Sequence, residues 1–352
     1  MVFALSAHRD RPRVAVISLG GTIASTGADA SAGVTPRLSG RDLVEAAPKV
    51  RDIADVETVE FRRVPSGDLT ILDMVALARA VEGLFDDGVD GVVVTQGTDT
   101  MEETSFAIDV LVRSTRPVVF TGAMRNPTTL GADGLSNLVG AVRVAASSDA
   151  MGLGTLVVFN DEVHAARFVR KSHTSSTATF QSPNCGPLGW IIEDRVRVVA
   201  KVSPLASIGE VVTGDVPEVA LLTMTLGDDA RLVARVQEAG YAGAVIEGFG
   251  GGHVPARAVA AIATLATHMP VVLASRTKSG EVLRVTYGFD GSERDLLSRG
   301  LVSGGSLDAL KARVLLSLIL SSRRGLDEVT SVFQDVIESI WTFENPRPKS
   351  NS

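Results

Sequence analysis

Val14-Ala-Val-Ile-Ser-Leu-Gly-Gly-Thr22 decides the fold. It is an almost unbroken apolar run stopped by two glycines and a threonine. Such runs suit strands buried on both faces of a parallel sheet. The pattern returns in Gly91-Val-Val-Val-Thr95, ended by Gln96-Gly97-Thr98-Asp99, and in Pro117-Val-Val-Phe-Thr121, ended by Gly122-Ala123-Met124. It returns once more in Thr155–Phe159.

Helical signals fill the gaps. Ser39 caps a short helix that Pro48 stops. Val56–Val64 alternates as a strand, and Ser66-Gly67-Asp68 turns the chain. Thr70–Phe85 has apolar residues at 71, 74, 75, 78, 81 and 85, one stripe of a helix. Thr100 and Glu103 form a capping-box pattern that starts another, and a further helix is expected over Leu135–Ser147. Alternating strands and helices predict an α/β fold: a larger N-terminal, mostly parallel sheet with helices on both faces.

Between Asp161 and Lys201 the helical period disappears. Short β-like stretches and Ser182-Pro-Asn-Cys-Gly-Pro187 predict hairpins at the sheet's edge. Ser203–Pro217 reads as a linker. A smaller α/β series follows: strands at Val219–Met224, Gly243–Ile246 and Pro270–Ala274, helices near Asp229–Ala239 and Pro255–His268, then helices Leu307–Ser321 and Leu326–Ser339. The expected domains are 13–202, catalytic, and 218–342, with 203–217 between them. Residues 1–12 and 343–352 are expected to be flexible.

Composition narrows the function. The 352 residues are 45% hydrophobic and 21% charged, enough apolar material for a core. No apolar run reaches the roughly 18 residues of a membrane-spanning helix. The net charge of −7 lacks the basic footprint of a nucleic-acid binder. The single cysteine, Cys185, forms no internal disulfide and builds no cysteine-based metal site. Residues 1–13 lack the charged-then-apolar order of a secretory leader, so the expected compartment is the cytoplasm.

Ligands in open α/β sheets bind beyond the carboxyl ends of the strands. Three strong strands here end in small, hydroxyl-rich turns, where glycine lets backbone N–H groups approach a ligand. Two converging threonines point to acyl chemistry. The rival reading of a dinucleotide site lacks the G-x-G-x-x-G spacing, and a Walker loop is absent. Any single Gly-Thr turn is also compatible with a purely structural loop.

A threonine hydroxyl needs a base. Of the five histidines, His8 is in the tail, His268 at a helix end, and His164 and His173 in the hairpin region. His253, in Gly250-Gly-Gly-His, reads as a substrate contact and not a base. Lysine is the alternative, because a desolvated ammonium can lose its proton. Only six are present, at 49, 171, 201, 278, 311 and 349. By spacing alone Lys171 is a surface residue.

The motifs together go further. Gly20-Gly-Thr-Ile-Ala24, Thr95-Gln-Gly-Thr-Asp-Thr-Met-Glu-Glu-Thr104, and Thr121-Gly-Ala-Met-Arg125 with Gly131-Ala-Asp-Gly134 each follow a strand. With Ala178–Gly189, Gly248-Phe-Gly-Gly-Gly252 and Ser275-Arg276 before Gly280, the chain resembles the bacterial L-asparaginase/glutaminase family from about Arg13 to Val336. The resemblance implies hydrolysis of L-asparagine to L-aspartate and ammonia, with no metal or organic cofactor. It also implies a homotetramer, a dimer of dimers whose active sites are shared between subunits, with no nucleic-acid or membrane partner.

Carried over by position, Thr22 matches the nucleophile, on a glycine-rich loop that gates the site. Thr98, Asp99 and Lys171 match a second set, in which Lys171 keeps Thr98 basic enough to activate water or relay a proton. Asp99 holds the lysine or the substrate ammonium. Ser66 grips the α-carboxylate. Gly97 and Thr98 N–H groups face the oxyanion, worth roughly 2.7–4 kcal/mol per donor. Gly21 is the neighbouring backbone contact, and the Ala123 carbonyl holds the leaving amide. Glu293 matches the carboxylate donated by another subunit, and His253 stands near the substrate amine.

Two departures stand out. Val34 occupies the place of the family's loop tyrosine, and Gly67 replaces its usual glutamine. The other readings are a glutaminase, the amidase subunit of a transfer-RNA-dependent amidotransferase, or a catalytically weak oligomer that binds an amino acid.

Overall fold

Val- and Ile-rich strands without a polar face must be covered on both sides. The computed structural model describes residues 11–26, 35–36, 38–211, 214, 216–322 and 324–343. Strand β1 is Arg13–Ser18, and β2 (Ser25–Thr26) pairs with β3 (Thr35–Pro36) in a small ribbon. Strands β4 (Asp55–Glu60), β5 (Gly91–Thr95), β6 (Val118–Thr121) and β7 (Thr155–Phe159) follow. Then come β8 (Glu162–Ala165), a ribbon of β9 (Arg170–Lys171) with β10 (Phe180–Gln181), and the hairpin β11 (Gly189–Ile192) and β12 (Arg195–Val198).

The large sheet has the order β12-β11-β8-β7-β6-β5-β1-β4. Its β4-β1-β5-β6-β7 part is parallel, and β8, β11 and β12 are antiparallel additions at one edge. This is the mostly parallel sheet with edge hairpins expected from the sequence. Every residue of β5, β6 and β7 is buried. Helices α1 (Gly40–Ala46), α2 (Val50–Ile53), α3 (Ile71–Asp86), α4 (Met101–Leu111) and α5 (Gly134–Ala145) supply the cover.

The smaller sheet is parallel, in the order β13 (Val219–Thr223), β14 (Gly243–Gly248), β15 (Val271–Ser275), β16 (Val302–Ser303). Helices α6 (Val259–Ala266), α7 (Glu293–Ser298), α8 (Ala309–Leu320) and α9 (Leu326–Ser339) accompany it. Buried residues of α8 and α9, including Leu315, Phe333 and Val336, join the core of the large sheet. The segment read as a linker is packed down: Leu205, Ile208 and Val211 are buried. Arg113 Nη1 donates to the Leu205 carbonyl at 2.9 Å, and Arg324 Nη2 to that of Ile208 at 2.8 Å. Residues 1–10 and 344–352 lie outside the described residues. Pro12 and Phe343 are anchored, Pro12 by its carbonyl to the Asp55 N–H and Phe343 by a bridge to Val202.

Three local expectations differ from the structure. Ser39 and Thr70 form capping boxes at α1 and α3, but Thr100 forms none at α4. Its hydroxyl donates to the Ser66 carbonyl at 2.9 Å instead. The strand expected to run to Val64 ends at Glu60, and the following residues lie along the end of β1, with Val64 N donating to Leu19 O. Over 229–239 there are turns and one short 3-10 segment, Val233–Arg235. Asp228 and Asp229 side chains accept from the Ala230 and Arg231 N–H groups, and Ala230 has φ +58°. Such local side-chain bonds compete with helix.

His164, in β8, is fully buried, with Nδ1 3.0 Å from Ser182 Oγ. Burial pushes its pKa down from 6.5 to about 4. Between those values the unfolded chain binds a proton that the folded chain does not, so stability falls as pH drops from 6.5 toward 4. The expected loss is up to about 3 kcal/mol. Thermal melts of wild type and His164→Gln between pH 7.5 and 4.5 check this: the wild type is expected to have the steeper pH slope, and equal slopes refute it.

Candidate active site

Strands β1 and β5 are neighbours in register, with Ser18 opposite Thr95. Their C-terminal turns therefore emerge side by side. Gly20 and Gly21 take φ +100° and +90°, a region that L side chains rarely enter. Gly21 lies directly on the next turn: a Cβ there would stand 2.1 Å from Gly97 N. Thr22 follows as the start of a short 3-10 turn, half-buried.

Gly97 is pressed from its other side by Ser66, whose Oγ would be 2.8 Å from an added Cβ. Ser66 is buried and begins the turn Ser66–Asp68. The buried Gln96 braces the same loop: its Nε2 donates to the Gly97 carbonyl at 3.1 Å, and its Oε1 accepts from Thr104 Oγ1 at 2.9 Å. Thr98 and Asp99 then form a 3-10 turn leading into α4.

The third turn joins them. A Cβ on Gly122 would meet Gln96 O at 2.5 Å and Thr98 Cγ2 at 3.5 Å. Ala123 is buried after it. Asp133 holds this turn by accepting from the Met124 and Arg125 N–H groups, and Asn137 Nδ2 donates to the Gly122 carbonyl at 3.1 Å. Gln96, Asp133 and Asn137 were not singled out in the sequence, and Thr100 was read there only as a helix cap. All four lie in or just beyond the quoted motifs, which is the signal that could have found them.

Lys171 comes from β9, far away in sequence. Its Nζ is 2.8 Å from Thr98 Oγ1 and 2.6 Å from Asp99 Oδ1. The Lys171 side chain is 15% exposed and that of Asp99 80%, so the lysine nitrogen is sheltered while the carboxylate faces solvent. Phe180 pairs with Lys171 across the ribbon and packs at a tilt against Phe159, with ring centroids 4.9 Å apart. A lysine nitrogen in hydrogen-bond contact with a hydroxyl can exchange a proton with it directly.

His253 and Glu293 form a second group, at the end of the smaller sheet. His253 Nε2 is 3.1 Å from Glu293 Oε2, and Glu293 Oε1 accepts from the Thr286 and Tyr287 N–H groups, both at 2.9 Å. Burial pushes the Glu293 carboxyl up, but those N–H groups and His253 outweigh it and hold the pKa below the ordinary value. The His253 ring packs edge-on against Tyr287 and Phe289. Tyr287 thus belongs to this group. Among the described residues no hydrogen bond joins it to the Thr98–Lys171 group. Val34 lies outside the described residues. Among the described residues, no group of three or more His, Cys, Asp or Glu could hold a metal ion.

Two glycines of this region predict opposite outcomes. Gly67 has nothing within 4 Å of an added Cβ, so Gly67→Gln is expected to fold with an unchanged melting temperature. Gly21→Ala meets the Gly97 amide and keeps an unfavourable φ costing roughly 1–2 kcal/mol, so it is expected to melt lower and lose activity. Equal melting temperatures for the two would refute the close approach of the turns.

Comparison with known proteins covers both halves of the chain. The family description "Asparaginase, N-terminal" matches residues 13–206, and "Glutaminase/Asparaginase C-terminal domain" matches 218–333. L-asparaginase of Bacillus licheniformis is 35% identical over 312 residues, covering 88% of this chain and 96% of that one. L-asparaginase 2 of Escherichia coli strain K12 is 33% identical, covering 92% of each. The crystal structure of a probable cytoplasmic L-asparaginase from Campylobacter jejuni superposes with a TM-score of 0.82 at 31% identity, over 92% of this chain and 99% of that one. Matched across both sheets and at this level of identity, the chain belongs to the asparaginase family.

Proposed function

We propose that this protein is an L-asparaginase that hydrolyses the side-chain amide of L-asparagine to L-aspartate and ammonia. The observation that carries the reading is the 2.8 Å contact of Lys171 Nζ with Thr98 Oγ1, beside the turn that bears Thr22. Thr22 Oγ adds to the amide carbon. Its proton passes to Thr98, whose own proton moves to the uncharged amine form of Lys171 and from there to the departing nitrogen, which leaves as ammonia. Water then cleaves the threonine ester by the reverse relay and restores the Thr22 hydroxyl. Gly97 and Thr98 N–H groups stabilise the oxyanion, and the Ala123 carbonyl holds the leaving amide. The relay gives Thr22 a base with Val34 in place of a loop tyrosine.

The substrate's α-carboxylate binds at Ser66 and its α-ammonium at Asp99. Gly21 and Gly67 form the backbone walls of the site. A second copy of the chain brings Glu293 and His253 to the ammonium. The shared sites lie in a homotetramer, a dimer of dimers. Supporting this assembly, Val285, Tyr287 and Phe289 expose apolar surface around the His253–Glu293 pair. The proposed compartment is the cytoplasm, in keeping with the relative named a probable cytoplasmic L-asparaginase of Campylobacter jejuni. A Haemophilus influenzae relative, 34% identical, is named a probable periplasmic L-asparaginase. No helix among the described residues is long and apolar enough to cross a membrane.

Ammonia release from asparagine tests the reading. Thr22→Ala, Thr98→Val and Lys171→Met are each expected to lower kcat by at least about 100-fold with melting temperatures near wild type. Wild-type rates in Thr22→Ala and Thr98→Val would refute it. A higher kcat/KM for glutamine than for asparagine would make the enzyme a glutaminase. Mixing inactive Thr22→Ala and Glu293→Ala proteins is expected to restore activity, and no recovery would argue against shared sites.

A further inference from the structure

Two lysines bear on the short segment around β9. Lys171 reaches from it to Thr98 and Asp99. Lys311, in the first turns of α8, approaches from the second half of the chain. Its side chain is 1% exposed. Its Nζ donates to the Val169 carbonyl and, at 3.1 Å, to Asp308 Oδ2. Val169 is buried and lies two residues before Lys171. Asp308 caps α8 by accepting from Lys311 N at 3.0 Å, so one side chain both starts the helix and aims the ammonium.

Glu102, in the first turn of α4, completes the arrangement. Its Oε2 accepts from the Lys171 N–H at 3.2 Å. Burial holds the Glu102 carboxyl above its ordinary value, and the Lys311 charge is the foremost influence in the other direction. Glu103 beside it is also raised by burial. The ammonium therefore sits among Asp308, Glu102 and the Val169 carbonyl, with Arg170 as the other nearby cation acting on the same carboxylates.

Burying an ammonium is costly unless its partners repay it. Packing alone would be served as well by a methionine. A ribbon of two residue pairs has little rigidity of its own, and Lys171 Nζ stands at the end of a long flexible side chain. Yet that nitrogen must stay within hydrogen-bond reach of Thr98. A displacement of about 1 Å can cost a hundredfold in rate.

We propose that Lys311 is a positioning residue for the reaction: by gripping the Val169 carbonyl it fixes the backbone from which Lys171 reaches Thr98 and Asp99. The inference rests on the proposed role of Lys171. It also makes the docking of α8 a condition of catalysis.

Steady-state kinetics on the full-length enzyme tests it. Lys311→Met is expected to lower kcat by about 10- to 100-fold while KM stays within threefold. Lys311→Arg, which keeps charge and donors, is expected to restore at least half of the lost kcat on a logarithmic scale. Ile262→Ala, buried in the core of the smaller sheet, serves as a destabilised control expected to lower the melting temperature with kcat unchanged. If Lys311→Met does not fold, Lys311→Gln carries the same comparison, with kcat reduced at least threefold and KM unchanged. A folded Lys311→Met or Lys311→Gln with kcat within twofold of wild type overturns the proposal. So does a loss in kcat no larger than that of an equally destabilised Ile262→Ala. An active Lys171→Met overturns the role of Lys171 itself, a separate outcome.

Discussion

Gly21 lies so close to the turn after β5 that a Cβ would stand 2.1 Å from the Gly97 nitrogen. Two parallel strands, 4.7–4.9 Å apart, ordinarily present turns whose side chains hold them apart. Here neither turn has a side chain at the point of contact, so the residues that follow, Thr22 and Thr98, are brought into one crevice. Ser66 reaches the same turn, its Oγ standing 2.8 Å from where a Gly97 Cβ would be. Gly122 admits the third turn against Gln96 and Thr98. The parallel sheet alone sets which strands are neighbours, and the missing Cβ atoms set how closely their ends converge.

The parallel strands supply hydroxyls and N–H groups but no amine. That comes from the irregular edge, where β9 and β10 form only a two-residue ribbon. Its weakness is offset by tethers from elsewhere. Glu102 holds the Lys171 N–H, Phe180 packs against Phe159, and Lys311 holds the Val169 carbonyl. Precision at the site thus arises from side chains anchoring a short ribbon to two helices.

The strands and their turns were legible because fully buried parallel strands leave an unmistakable mark: Val and Ile runs stopped by glycine. The edge hairpins were legible by the loss of helical period. Lys171 was not, because sequence spacing holds no record of a contact made 73 positions away. Only the resemblance to a family pointed to it. Lys311 was merely counted among six lysines, since a lysine near a helix start looks solvated until α4 and the segment before β9 cover it. Thr100 shows how a correct residue type can mislead. Its hydroxyl suits an N-cap, whose oxygen accepts a backbone N–H, but here no such bond forms and the hydroxyl donates to the Ser66 carbonyl, tying two site loops together. Over 229–239 a helix was expected, and two aspartates bonding to adjacent N–H groups prevailed.

Helix α8 ties the two sheets. Lys311 and Arg313 are two positions apart, which places them on roughly opposite faces of a helix. Lys311 donates to Val169, beside β9. Arg313 Nε donates to the Val219 carbonyl at 3.0 Å, at the start of β13. One helix thereby holds the backbone of each half through a cationic side chain, and its apolar residues sit in the core of the large sheet. The smaller sheet carries the His253–Glu293 pair, whose carboxylate is already fixed by two N–H donors. With both halves clamped to α8, that pair and the Lys171 ribbon stand in one fixed relation within the chain.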